Sequence, residues 1–199
     1  WNKVIGWGAV FAYGVLGCGV PAFGLDLEPK SATFKTLYGR KVGIAARSLV
    51  KTDDVRVADE LLGVAKAQTV PDDDYIFDLC MHAYELGKAD EAGYQTAIDA
   101  LVLLASKQRG LTLSCAEKLF PLFQVQYEKA TGPKKKELGR QLFEAAVAIG
   151  DHKLNEEAAP GADLPTITYA VLSAQKHFAI AITIAEAQGF QIPAVIEQG

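Results

Sequence analysis

Cysteine and histidine are the residues of this chain that could carry metal or nucleophilic chemistry. Cys80 and His82 form a C-x-H pair, and Cys115, His152 and His177 lie elsewhere in the sequence. Residues two apart on a helix point about 200° apart, so one metal ion cannot bind both Cys80 and His82 without distorting the helix. Zinc also needs a complete tetrahedral set of ligands at suitable spacings. The pattern therefore predicts no metal and no cofactor, with Cys80 as a small core residue and His82 as a solvated one.

Two other uses of the cysteines stay open on the sequence alone. Cys115 with His152 or His177 would make a nucleophile and base pair only if the two side chains came within hydrogen-bonding reach. Cys80 and Cys115 could form a disulfide in an exported domain. Their predicted places at different ends of two helices disfavour the close Cα approach that a disulfide requires.

An acidic triplet, Asp72-Asp73-Asp74, is a second candidate for chemistry. Clustered carboxylates are ligands that calcium prefers, but the alternating acidic and glycine pattern of a calcium loop is absent. Negative side chains also stabilise the N-terminus of a helix through capping and the helix dipole. We therefore expect the triplet to cap a helix.

Composition and motifs exclude several functional classes. The chain has 199 residues, is 50% hydrophobic and carries a formal net charge of −4. A nucleic-acid-binding domain would usually be basic, so we expect no nucleic-acid partner. The sequence contains no phosphate-binding glycine loop, no H-E-x-x-H, no G-x-S-x-G and no C-x-x-C pattern. It therefore predicts a protein that is not an enzyme.

The apolar residues are concentrated near the start of the sequence. Residues 4–25 are 22 consecutive residues without a charge, preceded by Lys3. A helix of that length is sufficient to cross a bilayer. The segment is interpreted as an uncleaved anchor with Lys3 on the cytoplasmic side, a cleaved signal ending at Ala22-Phe23-Gly24, or a lipoprotein signal around Cys18. A buried hairpin of a soluble fold is the fourth alternative. We expect residues 1–25 to be an anchor or signal segment that contacts a membrane through residues 4–25, and the rest of the chain to lie on the outer, periplasmic side.

The remaining sequence divides into a hinge, residues 26–31, and a helical domain, residues 32–199. Apolar side chains recur there at helical spacing. They predict seven helices whose first apolar residues are Phe34, Val55, Ile76, Tyr94, Ala116, Leu138 and Ile167. Predicted N-caps are Ser31 for the first helix, Thr52 or Asp53 for the second, and Ser114 with Glu117 in a capping box for the fifth. Pro121 should kink or split the fifth helix, and a long break should separate Gly150 from Pro165.

Short connections make successive helices antiparallel, and two hairpins, residues 73–108 and 114–149, begin about 41 residues apart, a period typical of helical repeats. The stretch Ala83-Tyr84-Glu85-Leu86-Gly87-Lys88-Ala89-Asp90-Glu91-Ala92 resembles the turn of a tetratricopeptide repeat. The resemblance implies that Gly87 ends one helix and that Ala92 lies where the next one crosses it closely. It also implies protein binding or scaffolding and supplies no active site.

The predicted architecture is thus all-α. Antiparallel helical hairpins would stack as a short right-handed solenoid or bundle, after one hydrophobic N-terminal helix. We expect a non-enzymatic interaction or scaffolding module that binds a protein partner; the alternative is an accessory structural subunit of a membrane complex. The candidate protein-binding residues are Phe77, Tyr84, Lys134, Lys135 and Lys136. Phe77 and Tyr84 lie off the main apolar stripe, so each either packs on a neighbour or lines a concave surface. The three lysines either contact an acidic partner or anionic lipid, or form a solvated face.

Overall fold

The computed structural model describes residues 27–69, 72–157 and 161–191. Within these ranges the chain forms seven α-helices and no strand, which confirms the all-α prediction. The predicted hydrophobic segment, residues 4–25, lies outside the described residues. The helices are α1 (Ala32–Ala45), α2 (Lys51–Ala67), α3 (Asp73–Gly87), α4 (Tyr94–Lys107), α5 (Thr112–Lys129), α6 (Gly132–His152) and α7 (Leu164–Gln188).

Polar side chains begin three of these helices. Ser31 accepts a hydrogen bond from the backbone N–H of Phe34 at 3.3 Å, which confirms the predicted N-cap of α1. Asp72 caps α3 by accepting from the backbone N–H of Tyr75 at 2.9 Å, as expected of the acidic triplet. Asp163 caps α7 in the same manner. Each cap pairs a backbone donor that has no partner within the helix.

Two predicted caps are wrong. Helix α2 begins at Lys51, after Val50, so Thr52 and Asp53 lie within its first turn. Helix α5 begins at Thr112, directly after a 3₁₀ turn at Arg109–Leu111, so Ser114 and Glu117 are inside the helix. The preceding turn already directs the chain into α5, and no side-chain cap is used there.

Pro121, which was expected to kink or split α5, does not split it, because the helix runs from Thr112 to Lys129 through this residue. Pro121 is exposed, so the carbonyl that lacks a backbone donor can bond to water. Helix α6 extends past Gly150 to His152 and is followed by a π-helical turn, Lys153–Glu157. The break before α7 is therefore shorter than the sequence indicated.

Successive helices pack against each other in antiparallel pairs, with the core between them. At one end of the α3–α4 hairpin the side-chain amide of Gln108 donates to the carbonyl of Asp73 at 2.6 Å, and at the other end Gly87 contacts Gly93. The most deeply buried large apolar side chains come from five different helices: Phe34, Leu61, Leu79, Leu101, Leu104 and Ile149.

The α3–α4 turn depends on two facing glycines. A Cβ atom on Gly87 would lie 2.8 Å from the carbonyl oxygen of Gly93 and 3.1 Å from the backbone nitrogen of Ala97. Gly87 ends α3 as expected, but Ala92 is exposed and Gly93 takes the crossing position. The close approach therefore falls one residue later than the tetratricopeptide resemblance implies.

Helix α7 is the helix of the described ranges that is long and apolar enough to cross a membrane. It has 25 residues, and 22% of its most apolar window is buried. It lies at the C-terminal end of the described chain, whereas the expected membrane segment is N-terminal.

Candidate interaction surfaces

Residues 29–52 form a stretch of the chain with a local excess of positive charge. They contain six Lys or Arg residues and no Asp or Glu, in a protein whose net charge is −4. Helix α1 carries most of this segment and exposes Leu37 and Ile44, at 61% and 62% of their surfaces. The net charge of the whole chain, −4, does not reveal this local excess. A charge count in a sliding window would have found it.

A cavity of about 410 Å³ lies beside this helix, lined by residues of α1, by Leu27 and Pro29, and by His82 in the second half of α3. Among the described residues, its charged lining consists of Lys35, Arg40 and Arg47 and includes no carboxylate. Phe34 and Val42 supply an apolar wall, and His82 reaches it from α3. Such a site suits an anion that carries an apolar portion.

A buried carboxylate holds this end of the molecule together. Asp78 of α3 is fully buried and accepts hydrogen bonds from the backbone N–H groups of Lys30 and Ser31, at 3.1 and 2.7 Å. The ammonium of Lys30 lies 3.7 Å from the ring centroid of Phe77. The last residues of the predicted hinge are therefore fixed against α3, and they position α1 over the cavity.

His82 is not the solvated residue that the sequence predicted. It is 2% exposed, and its ring stacks on Phe34 with centroids 4.5 Å apart. Its Nδ1 lies 2.8 Å from the carbonyl oxygen of Asp78, which can only accept a hydrogen bond, so Nδ1 carries a proton. The sequence of α3 by itself marks this face of the helix as polar, but α1 packs over it and buries His82.

Tyr84 packs against a neighbouring helix, which is the first of the two alternatives that the sequence left open for it. It is 5% exposed, and its hydroxyl donates to the backbone carbonyl of Lys118 in α5 at 3.4 Å. Burial raises the pKa of Tyr84 above its ordinary value, although the charge of Lys88 opposes the rise. Phe77 is partly buried under Lys30, so these two aromatic residues meet different neighbours and form no common surface.

The three lysines lie in the first turns of α6. Lys134 and Lys136 are exposed, and the ammonium of Lys135 lies 4.9 Å from the ring centroid of Tyr127. Lys134 borders an open cleft of about 420 Å³, which an ion pair between Lys129 and Glu91 at 2.6 Å also lines. Both signs of charge line this cleft, so it is less selective for anions than the cavity beside α1.

The cysteines of the described helices are buried and reduced. Cys80 is fully buried, as predicted, and both Cys80 and Cys115 are free thiols. Burial, followed by the influence of Cys115, raises the pKa of Cys80 to about 12, and burial also raises that of Cys115. Buried neutral thiols are poor nucleophiles. Among the described residues, no group of three His, Cys, Asp or Glu side chains is placed to hold a metal ion.

Helix α7 has one packed face and one uncovered face. The packed face consists mainly of small buried residues: Ala170, Ala174, Ala181 and Ala185. The aromatic ring of Phe178 rests on Gly150, where an added Cβ would lie 2.6 Å from the ring. The other face exposes Leu164, Tyr169 and Leu172, at 61–76% of their surfaces.

Comparisons of the chain with protein-family models, with curated proteins and with solved structures found no match.

Proposed function

We propose that this protein is a non-enzymatic, membrane-associated interaction module whose α7 binds an apolar surface of a partner protein. The observation that carries the proposal is the uncovered face of α7, with Leu164, Tyr169 and Leu172 exposed. Helical arrays need a polar outer face on their terminal elements to remain soluble. Helix α7 carries only Lys176 and Glu186 as charged residues over its 25 positions, so its outer face is a poor terminal cap.

The packing of α7 supports binding rather than catalysis. Its contacts with α6 use small residues and aromatic packing, which hold the helix as a rigid edge. The stacked hairpins, which we propose form a short tetratricopeptide-like right-handed solenoid, support this edge without buried catalytic groups. A protein partner with an apolar helix would bury Tyr169 and Leu172, an amphipathic aromatic and an aliphatic side chain of the type that anchors interfaces.

Affinity purification of the full chain from native membranes, with cross-linking, tests this proposal. Leu172→Glu should abolish cross-links between α7 and a co-purifying protein, because a charge would be buried in the interface. Val102→Glu is the matched control, since Val102 of α4 is 52% exposed and lies on another helix. Partner loss in both variants, or cross-links that map away from α7, would contradict the proposal. A concentration-dependent dimer of the purified chain would make a second copy the occupant instead.

The second candidate function is an accessory structural subunit of a membrane complex. The length and hydropathy of α7 favour it. In that case α7 itself would lie among lipid or other membrane helices. Photolabelling of native membranes with a carbene reagent dissolved in the lipid separates the two: a spanning α7 is labelled, whereas an α7 that binds a partner outside the bilayer is not.

The side of the membrane on which the helical domain lies depends on whether residues 4–25 are cleaved as a signal or retained as an anchor. A cleaved signal would export the helical domain, as expected above. A retained anchor would be followed within 20 residues by Lys30, Lys35, Arg40 and Lys41, and flanks rich in Lys and Arg stay on the cytoplasmic side. Mass spectrometry of the mature N-terminus decides between these proposals: a terminus near Leu25 favours export, and an intact peptide containing Trp7 favours the anchor.

A further inference from the structure

We propose that α1 binds an anionic phospholipid surface and that the cavity beside it holds the phosphate of one lipid headgroup. This site is separate from the uncovered face of α7. The charge of the segment is the first support. Residues 29–52 carry six positive charges and no negative ones, so this end of an otherwise acidic protein is attracted to anionic surfaces.

Two arginines of this segment are available to a ligand. Lys35, Lys41 and Lys51 pair with Glu28, Glu60 and Asp54. Arg40 and Arg47 form no ion pair with any residue in the described ranges, and both are exposed and line the cavity. Planar guanidinium groups bind phosphate oxygens through paired hydrogen bonds, which favours phosphate as the ligand group.

The backbone of α1 is open between these arginines. A Cβ atom on Gly39 would meet only Lys35 Cγ at 3.8 Å, and one on Gly43 would meet only Arg47 Nη2 at 3.5 Å. Within the described structure, no neighbouring helix therefore requires a glycine at either position. They leave room for a group to approach α1 closely in the cavity that buried His82 also lines.

Apolar residues beside the arginines favour a lipid over a free anion. Leu37 and Ile44 lie on the same exposed side of α1 as Arg40, at helical spacings of three and four residues. A polyanion such as RNA would gain nothing from these side chains, whereas a bilayer accepts them beneath its headgroups. The uncharged stretch of residues 4–25, which three residues separate from this segment in the sequence, agrees with a membrane surface as the partner.

Vesicle flotation of the full chain tests the proposal. The measured quantity is the ratio of binding to equimolar phosphatidylcholine and phosphatidylglycerol vesicles over binding to phosphatidylcholine alone, which cancels contributions from apolar segments. The double variant Arg40→Gln/Arg47→Gln should lower this ratio by about 20-fold. Gly43→Leu, which fills the cavity without changing charge, should lower it several-fold while circular dichroism shows unchanged helicity.

The matched control is Lys134→Gln/Lys136→Gln, which removes the same charge from an exposed site on α6. It should leave the ratio within about twofold of the unmodified chain, since α6 is not among the helices that pack extensively against α1, where the lipid is proposed to bind. An equal loss in both double variants, or no loss in the arginine variant, would overturn the proposal. Displacement from anionic vesicles by inorganic phosphate at constant ionic strength would overturn the lipid assignment and identify a free phosphate site.

Discussion

The carboxylate of Asp78, midway along α3, accepts a hydrogen bond at 2.7 Å from the backbone N–H of Ser31, the residue that caps α1. The two residues are 47 positions apart in the sequence. Asp78 also accepts from the N–H of Lys30, so one buried side chain pairs two backbone donors that precede a helix. This contact fixes α1 against α3 and thereby forms the cavity proposed to bind lipid.

Asp78→Asn should destabilise the protein by about 2 kcal/mol or more, because the amide keeps the volume but loses one of two acceptors and leaves a buried N–H group unpaired. Chemical denaturation measures the loss, and hydrogen exchange should show faster exchange of the Ser31 amide. Asp74→Asn, at an exposed position in the first turn of the same helix, should cost only a few tenths of a kcal/mol. Equal losses in the two variants would contradict the role given to Asp78.

Gly87→Ala should lower the free energy of unfolding by about 2–3 kcal/mol, because its Cβ would meet backbone atoms of Gly93 and Ala97 that cannot move aside. Gly63→Ala is the control on a neighbouring helix, where an added Cβ meets no atom within 4 Å. That variant should gain about 0.5–1 kcal/mol from the higher helix propensity of alanine. Thermal or urea unfolding of both variants should show that the two substitutions change the free energy of unfolding in opposite directions.

Gly150→Ala should loosen α7, because the added Cβ would lie 2.6 Å from the ring of Phe178. The ring can partly rotate away, so the expected loss, about 1–2 kcal/mol, is smaller than for Gly87→Ala. Limited proteolysis should cut α7 faster in this variant. At Gly139 the nearest atom would be 3.1 Å away. Gly139→Ala should therefore have a weaker effect, and the reverse order would be inconsistent with this packing.

The buried thiols should resist alkylation in the native protein. A thiol with a pKa of about 12 has roughly a thousandth of the thiolate of an ordinary cysteine near pH 8, and only the thiolate reacts. Mass spectrometry after treatment with iodoacetamide should find Cys80 unlabelled in the folded protein and labelled after denaturation. Rapid native labelling of Cys80 would show that its burial is incomplete.

The same thiol should make stability depend on pH in the alkaline range. Its pKa is raised from 9.0 to about 12, so between these values the native state retains a proton that the unfolded chain loses. Its contribution to stability is complete below pH 9 and is lost as the pH rises towards 12, with a slope of at most about 1.4 kcal/mol per pH unit. Cys80→Ala should reduce the slope measured by denaturation. An unchanged slope would assign the dependence to other groups, such as Tyr75 and Tyr84.

The sequence by itself determined the helices and the burial of several of their residues. Apolar spacing predicted all seven helices, and short polar side chains located the caps at Ser31 and Asp72, because both signals act within a few residues. Cys80 was placed in the core for the same reason, since it lies on the apolar stripe of its own helix.

Only the tertiary structure decided which residues meet across helices. His82 and Tyr84 are buried because α1 and α5 cover them, and Gly93 takes the crossing position because α3 and α4 approach there. The cavity beside α1 exists because Asp78 fixes a segment 47 residues earlier in the chain. Local periodicity reports the face of one helix, whereas burial and binding geometry depend on partners distant in sequence.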